Sequence, residues 1–193
     1  MANQLVHGLL LLLIGAILNI IAANKVHHLA ELRLSDPYTP LPDLIHDYLP
    51  KIPILIPDYF LLFCVCLSIF RGSLLHEIES GASSNIICTG LCFIIRSFSI
   101  FLTIFPTCMP DPRDDRHETE PCPYYAKLFL STHDLMFSGH SLFFICIGKM
   151  LNSYIITIIG PLLLVLARQH YTIDVCVSGL VYFFIMENIV SKF

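Results

Sequence analysis

Long apolar runs separated by short polar connectors set the plan of this chain. Leu5–Ala23 is dominated by Leu and Ile, interrupted by His7, Gly15 and Asn19, and is about long enough to cross a hydrocarbon core of ~30 Å. The connector that follows, Asn24 to Lys51, is polar and carries Pro37, Pro40, Pro42 and Pro50. Proline fixes its own φ and biases the residue before it away from helix, so Tyr38–Asp43 is predicted as an extended or turning segment at the membrane surface. A second run, Ile52–Phe70, has Pro53 and Pro57 near its start and Arg71-Gly72 at its far end; Ser80–Asn85 reads as a small-residue turn. The third run, Ile86–Phe105, stops at Pro106, and the most polar stretch of the chain, Thr107–Tyr125, comes next. A fourth run begins within residues 128 to 136 and ends at Lys149 or Met150, Asn152-Ser153 makes a tight reversal, and Tyr154–Arg168 and Thr172–Val190 complete the series. The pattern predicts an all-α, polytopic protein: six transmembrane helices in one membrane unit over residues 1–193, with no internal repeat and both termini on one side. A cleaved leader is the competing reading of the first run. No Lys or Arg precedes it, and it exceeds the usual apolar core of ~7–15 residues, which favours a retained helix.

Composition sharpens this picture. The chain is 55% hydrophobic and 13% charged over 193 residues, well away from soluble domains. A net charge of −4 excludes nucleic acid as an expected partner, since a phosphate backbone needs a basic face. Without Trp, an aromatic belt at the bilayer surface has to come from Tyr and Phe. Six of the eight cysteines, at 64, 66, 88, 92, 146 and 176, fall in apolar runs as small hydrophobes. Cys108 and Cys122 bracket the polar loop: a bridge between them closes a ring of about 15 residues worth about 3 kcal/mol in an oxidising compartment, and two free thiols are the alternative. His117-Glu118 in that loop lacks the spaced ligand set of a zinc site, so no metal is expected.

Chemistry concentrates in two places. Phe137-Ser138-Gly139-His140 opens one apolar run, and Arg168-Gln169-His170-Tyr171-Thr172-Ile173-Asp174 joins the last two. With six spans, the connectors after the first, third and fifth runs share the face opposite the termini, so one antiparallel hairpin returns His140 and His170 to the same side. Asp174 follows His170 by four residues, one turn along the same face if the helix is continuous. A neutral imidazole backed by a carboxylate can attack phosphorus, the acid fixing the tautomer and stabilising the imidazolium; His170 with Asp174 fits. A second imidazole can protonate the departing alkoxide and then deprotonate an acceptor hydroxyl; His140 fits. Ser138-Gly139 would let helix-start N–H groups approach phosphate oxygens, and Arg168 would neutralise them. Arg96, inside the third run, is either half of a structural pair or a deep cation for an anionic headgroup. Each residue alone is as well explained by a hydrogen bond between helices; the combination is more specific.

Asp134–Ser141 and His170–Val175 closely resemble the third and fourth signature motifs of the sphingomyelin synthase family, itself related to type 2 phosphatidic acid phosphatases. Arg96-Ser97-Phe98 through Phe105-Pro106 looks like the second motif, and Pro40-Leu41-Pro42-Asp43 like the first. The resemblance implies a phosphatidic acid phosphatase-like six-helix bundle that moves a phospho-headgroup between lipids through a phosphohistidine. It makes His170 the nucleophile, Asp174 its orienting acid and His140 the acid and base. It implies substrate contacts from Arg96, Ser138, Gly139, Arg168, Tyr171, Asp134 and Asp43, a phospholipid donor, a ceramide or diacylglycerol acceptor and no cofactor, and it leaves self-association open. Golgi or plasma membrane is the implied location, with the site lumenal or extracellular. The positive-inside bias taken alone argues the other way, because Lys25, Arg33, Lys51, Arg113, Arg116, Lys127 and Arg168 all fall on the site side. Phosphatidylcholine:ceramide cholinephosphotransfer is the leading expectation. Beside it stand transfer to diacylglycerol, an inositol-phosphorylceramide synthase-like reaction, and hydrolysis by a lipid phosphate phosphatase. A catalytically silent scaffold is disfavoured because all three catalytic positions are intact.

Overall fold

The computed structural model describes residues 2–33, 41–75, 81–106 and 136–192, and these are helical with connecting turns. In chain order the helices are α1 (Ala2–Arg33), α2 (Leu44–Tyr48), α3 (Leu55–Leu75), α4 (Gly81–Leu102), α5 (Gly139–Met150), α6 (Tyr154–Leu166) and α7 (Thr172–Asn188), followed by a 3₁₀ turn at Val190–Lys192. Two of them are long and apolar enough to cross a membrane, Gln4–Ala30 within α1 and Ala82–Leu102 within α4.

The helix ends follow local chemistry. Both α5 and α6 close with a left-handed residue one position past the cap, Asn152 at φ 50° and Arg168 at φ 56°. In each case the two following amides turn back to carbonyls of the last turn: Asn152 N–H to Lys149 O and Ser153 N–H to Gly148 O, then Arg168 N–H to Val165 O and Gln169 N–H to Leu164 O. This double closure satisfies carbonyls that a helix end would otherwise orphan. Ser153 then starts α6, its hydroxyl accepting from Ile156 N–H at 3.4 Å, so the reversal expected at Asn152-Ser153 takes a single linking segment.

Several expected boundaries shift. α1 continues to Arg33 instead of stopping near Ala23, so the polar residues 24–33 extend the helix. Ser80–Asn85 was expected as a turn, yet residues 81–85 form the first turn of α4, because small residues there carry no helix-breaking proline. Within the described part of the fourth run, α5 has 12 residues, about 18 Å at 1.5 Å per residue; the expected start of that run within residues 128–135 lies outside the described residues, as do Cys108, Cys122 and His117-Glu118.

Packing buries a set of polar groups among the apolar core and leaves many large apolar side chains on the outside. Asn19, Arg96, Ser97, Ser138, Ser141, His170, Asp174 and Ser178 are all buried, whereas Leu9, Leu13, Phe63, Ile158, Leu180 and Phe184 are exposed. Exposed rows of Leu, Ile and Phe on this scale suit a hydrocarbon surround. α1 lies along α4 at close range: a Cβ added at Gly15 would stand 2.7 Å from Phe93 Cβ, and one at Gly90 would stand 2.8 Å from Leu11 Cβ. Asn19 crosses that seam, donating to Phe93 O at 2.7 Å and to Ser97 Oγ at 3.0 Å. An apolar cluster, built on Leu61, Cys64, Phe144, Ile147 and Leu164, joins α3 to the α5–α6 hairpin.

Candidate active site

Two helix starts meet at one end of the bundle. Ser138 caps α5, accepting from Ser141 N–H at 3.1 Å, and this turn docks on the first turn of α7. Ser138 N–H reaches Asp174 O at 3.5 Å, and the Ser178 hydroxyl bridges Ser138 O at 3.1 Å and Asp174 O at 2.7 Å. His140, the second residue of α5, and Asp174, the third of α7, are therefore carried by elements locked to each other. Arg96 secures the turn from below: its guanidinium donates to Phe137 O and to Asn19 Oδ1, and its Cζ lies 3.5 Å from where a Cβ on Gly139 would be. A buried guanidinium needs acceptors for its fixed fork of donors, and α1 and the α5 turn supply two of them.

His170 sits 3.5 Å from Asp174, Nδ1 to Oδ2, with both side chains buried. The pairing differs from the expected one. His170 is not on a continuous helix: α7 starts at Thr172 with Tyr171 as its cap. The pair forms because the chain bends at Tyr171 (φ −68°, ψ 154°), returning the ring over the first turn. Asp174 Oδ2 also accepts from Tyr171 N–H at 3.0 Å, the arrangement of an acid at the third helical position capping its own helix. Among the described residues His170 Nδ1 has no hydrogen-bond partner, so a small tightening toward Oδ2 remains open to it. Ser141 Oγ, in the first turn of α5, is likewise buried without a hydrogen bond.

The segment from Leu41 to Asp58 straps the α6–α7 connection. Asp43 caps α2 through Ile45 N–H at 3.0 Å and also takes Thr172 N–H at 2.7 Å and Thr172 Oγ1–H at 2.8 Å. Burial pushes the Asp43 carboxyl up, but these hydrogen bonds and the neighbouring His46 outweigh it and hold the group below its ordinary range. The His46 imidazole is held below its ordinary value by burial first, with the Arg168 charge in the same direction, against the pull of Asp43 and of the His170 and Val165 carbonyls. Arg168 donates to His46 O, and Gln169 donates to Ile54 O at 3.0 Å and Asp58 Oδ1 at 3.3 Å. The Tyr171 hydroxyl accepts from Leu41 N–H at 2.8 Å and donates to Pro106 O at 3.3 Å. Among the described residues no three His, Cys, Asp or Glu side chains gather as a metal-binding group.

Comparison with known proteins gives one relative. This chain is similar to a lipid enzyme by name. A Caenorhabditis elegans protein named "Putative phosphatidylcholine:ceramide cholinephosphotransferase 3" is 28% identical over 149 residues, covering 60% of this chain and 44% of that protein. The chain thus spans less than half the length of the curated relative it matches. No family model matches the chain, and no solved structure matches it.

Of the residues singled out from sequence, the structure gathers Asp43, Arg96, Ser138, Gly139, His140, Arg168, His170, Tyr171 and Asp174 at one end of the bundle; Asp134 lies outside the described residues. The bonds formed by Asp43, Ser138 and Tyr171 are to the protein itself. The acceptors described for Arg96 are the neutral oxygens of Phe137 and Asn19. Sequence reasoning missed His46. Its one signal was placement, three residues after Asp43 in a segment already suspected of supporting a site.

Proposed function

We propose that this protein is a lipid headgroup phosphotransferase of the sphingomyelin synthase type, moving phosphocholine from phosphatidylcholine to ceramide. The observation that carries the reading is the His170–Asp174 pair at 3.5 Å beside the α5 start that bears His140. Similarity to a protein named as a cholinephosphotransferase supports it at family level. In this scheme Nδ1–H of His170 faces Asp174, which leaves Nε2 as the nucleophile. Nε2 attacks phosphorus, the bond from phosphorus to the diacylglycerol oxygen breaks, and His140 delivers a proton to that oxygen. Ceramide then presents its primary hydroxyl: the oxygen attacks phosphorus, His140 takes the proton, and the P–N bond breaks with its electron pair returning to Nε2. Helix-start amides and Arg168 favour the extra negative charge on phosphorus.

The whole chain is proposed as one six-span membrane unit with the site on the lumenal or extracellular face. The many exposed large apolar side chains support a bilayer setting, and the antiparallel α5–α6 hairpin supports a shared side for His140 and His170.

The test supplies membranes expressing the chain with labelled phosphatidylcholine and ceramide and separates the lipids. Labelled sphingomyelin from wild type, absent with His170→Ala and with His140→Ala, is the expected result. Release of water-soluble phosphocholine in its place, or no turnover of any phospholipid, overturns the proposal.

A further inference from the structure

We propose that His46 is a positioning residue for this reaction: its imidazole, carried on α2, fixes the His170 peptide and thereby aims the attacking ring. The inference rests on the phosphotransfer reading above.

His170 belongs to neither α6 nor α7. The left-handed Arg168 ends one and the Tyr171 cap begins the other, so no helical ladder holds the peptide that carries the nucleophile. His46 supplies the hold. Its Nε2 is 3.2 Å from His170 O; a carbonyl oxygen only accepts, so Nε2 carries the hydrogen and donates. His46 as a whole is only 7% exposed, and its ring stacks on Tyr171 with centroids 6.0 Å apart and planes 28° from parallel. Traffic in the other direction comes from Arg168, whose guanidinium donates to His46 O. One residue thus exchanges hydrogen bonds with both ends of the three-residue stretch Arg168–His170, donating at one end and accepting at the other. Asp43, bound to His46 N–H at 3.4 Å and to Thr172 at the start of α7, anchors the base of the same clamp.

Removing the Nε2 donor leaves the His170 carbonyl without this bond, which disfavours the native peptide orientation. The His170–Tyr171 peptide then turns to find another donor, and the ring departs from Asp174. His46 itself does not need to touch the lipid. Its loss therefore lowers the rate of the chemical step and leaves lipid binding largely intact.

The experiment measures kcat and KM for phosphatidylcholine with the purified full chain, comparing wild type, His46→Phe and His46→Gln, with Tyr48→Ala as a control on the exposed face of α2. Phe keeps the stacking and loses the donor; the Gln amide can still donate to His170 O. The proposal expects His46→Phe to lower kcat by about 10- to 100-fold, the scale of a misplacement near 1 Å, with KM changed less than about threefold. It expects His46→Gln to recover most of the loss and Tyr48→Ala to match wild type. Equal kcat for His46→Phe and wild type overturns it, as does a Gln variant no better than Phe, or a loss seen only in KM. Absence of any phospholipid turnover by wild type removes the phosphotransfer reading itself, and the positioning role falls with it; the wild-type measurement tells that failure from the others.

Discussion

Asp43 joins two helices through a single carboxylate, capping α2 and holding Thr172 at the start of α7. Because its carboxyl is held below the ordinary 3.8, its contribution to stability is present above that value and lost as pH falls through the depressed one. Replacing it by Ala should cost about 1 kcal/mol at neutral pH, the usual scale for a lost helix cap, and the gap to wild type should narrow on acidification below the ordinary carboxyl value. Thermal unfolding in detergent across that pH range reads this directly. His46 adds a second acid-sensitive element. Its depressed imidazole favours the neutral ring, so its share of stability is full above 6.5 and declines as pH falls through the folded value. Arg168 permits a cleaner separation of side chain from backbone. At φ 56° a residue with a Cβ is strained by about 1–2 kcal/mol, so Arg168→Gly should unfold at a higher temperature than Arg168→Ala, although neither retains the bond to His46 O. At this scale the sequence was most informative about the paired His170 and Asp174, because imidazole and acid stand out in apolar text. It was least informative about His46. A histidine in a polar connector looks solvated until the fold folds that connector back over the site.

The helical elements were largely legible, since apolar runs bounded by Pro, Asn-Ser and Arg punctuate the chain. What blurred the ends was tertiary context: polar residues 24–33 stay helical in α1, and residues 81–85 stay helical in α4. The contact between α1 and α4 was not legible at all, because nothing in the composition of Gly15 or Gly90 says which neighbour they admit. Given 2.7–2.8 Å approaches at both positions, Gly15→Leu and Gly90→Leu should each force the helices apart, release Arg96 from Asn19, and broaden the size-exclusion profile of detergent-solubilised protein. Gly179→Ala is the matched comparison. Its nearest neighbour, Ile145 Cδ1, would be 4.0 Å from the new Cβ, so the profile should stay sharp. A normal profile for both leucine variants would mean that the seam is not packed as described.

For the whole molecule, the fold reads as a bundle whose polar interior runs from Asn19 and Arg96 through Ser138 and Ser178 to Asp174, under an apolar exterior. Hydropathy announced that exterior; two described helices meet the length requirement for a crossing, and α5 at 12 residues does not by itself. Site-specific labelling addresses it. Cysteines placed at Tyr48, on the site side, and at Asn152, at the far end of the α5–α6 hairpin, should react with a charged maleimide from opposite sides of sealed vesicles; labelling of both from one side would contradict six spans. The most direct measurement of the central claim is covalent. Purified protein mixed with phosphatidylcholine and no acceptor, kept at alkaline pH and then digested, should yield a phosphocholine-modified peptide with the group on His170, lost when ceramide is added before digestion and absent in His170→Asn. Full sphingomyelin synthesis by a protein that never carries the group on His170, or that works unchanged as His170→Asn, would contradict the account.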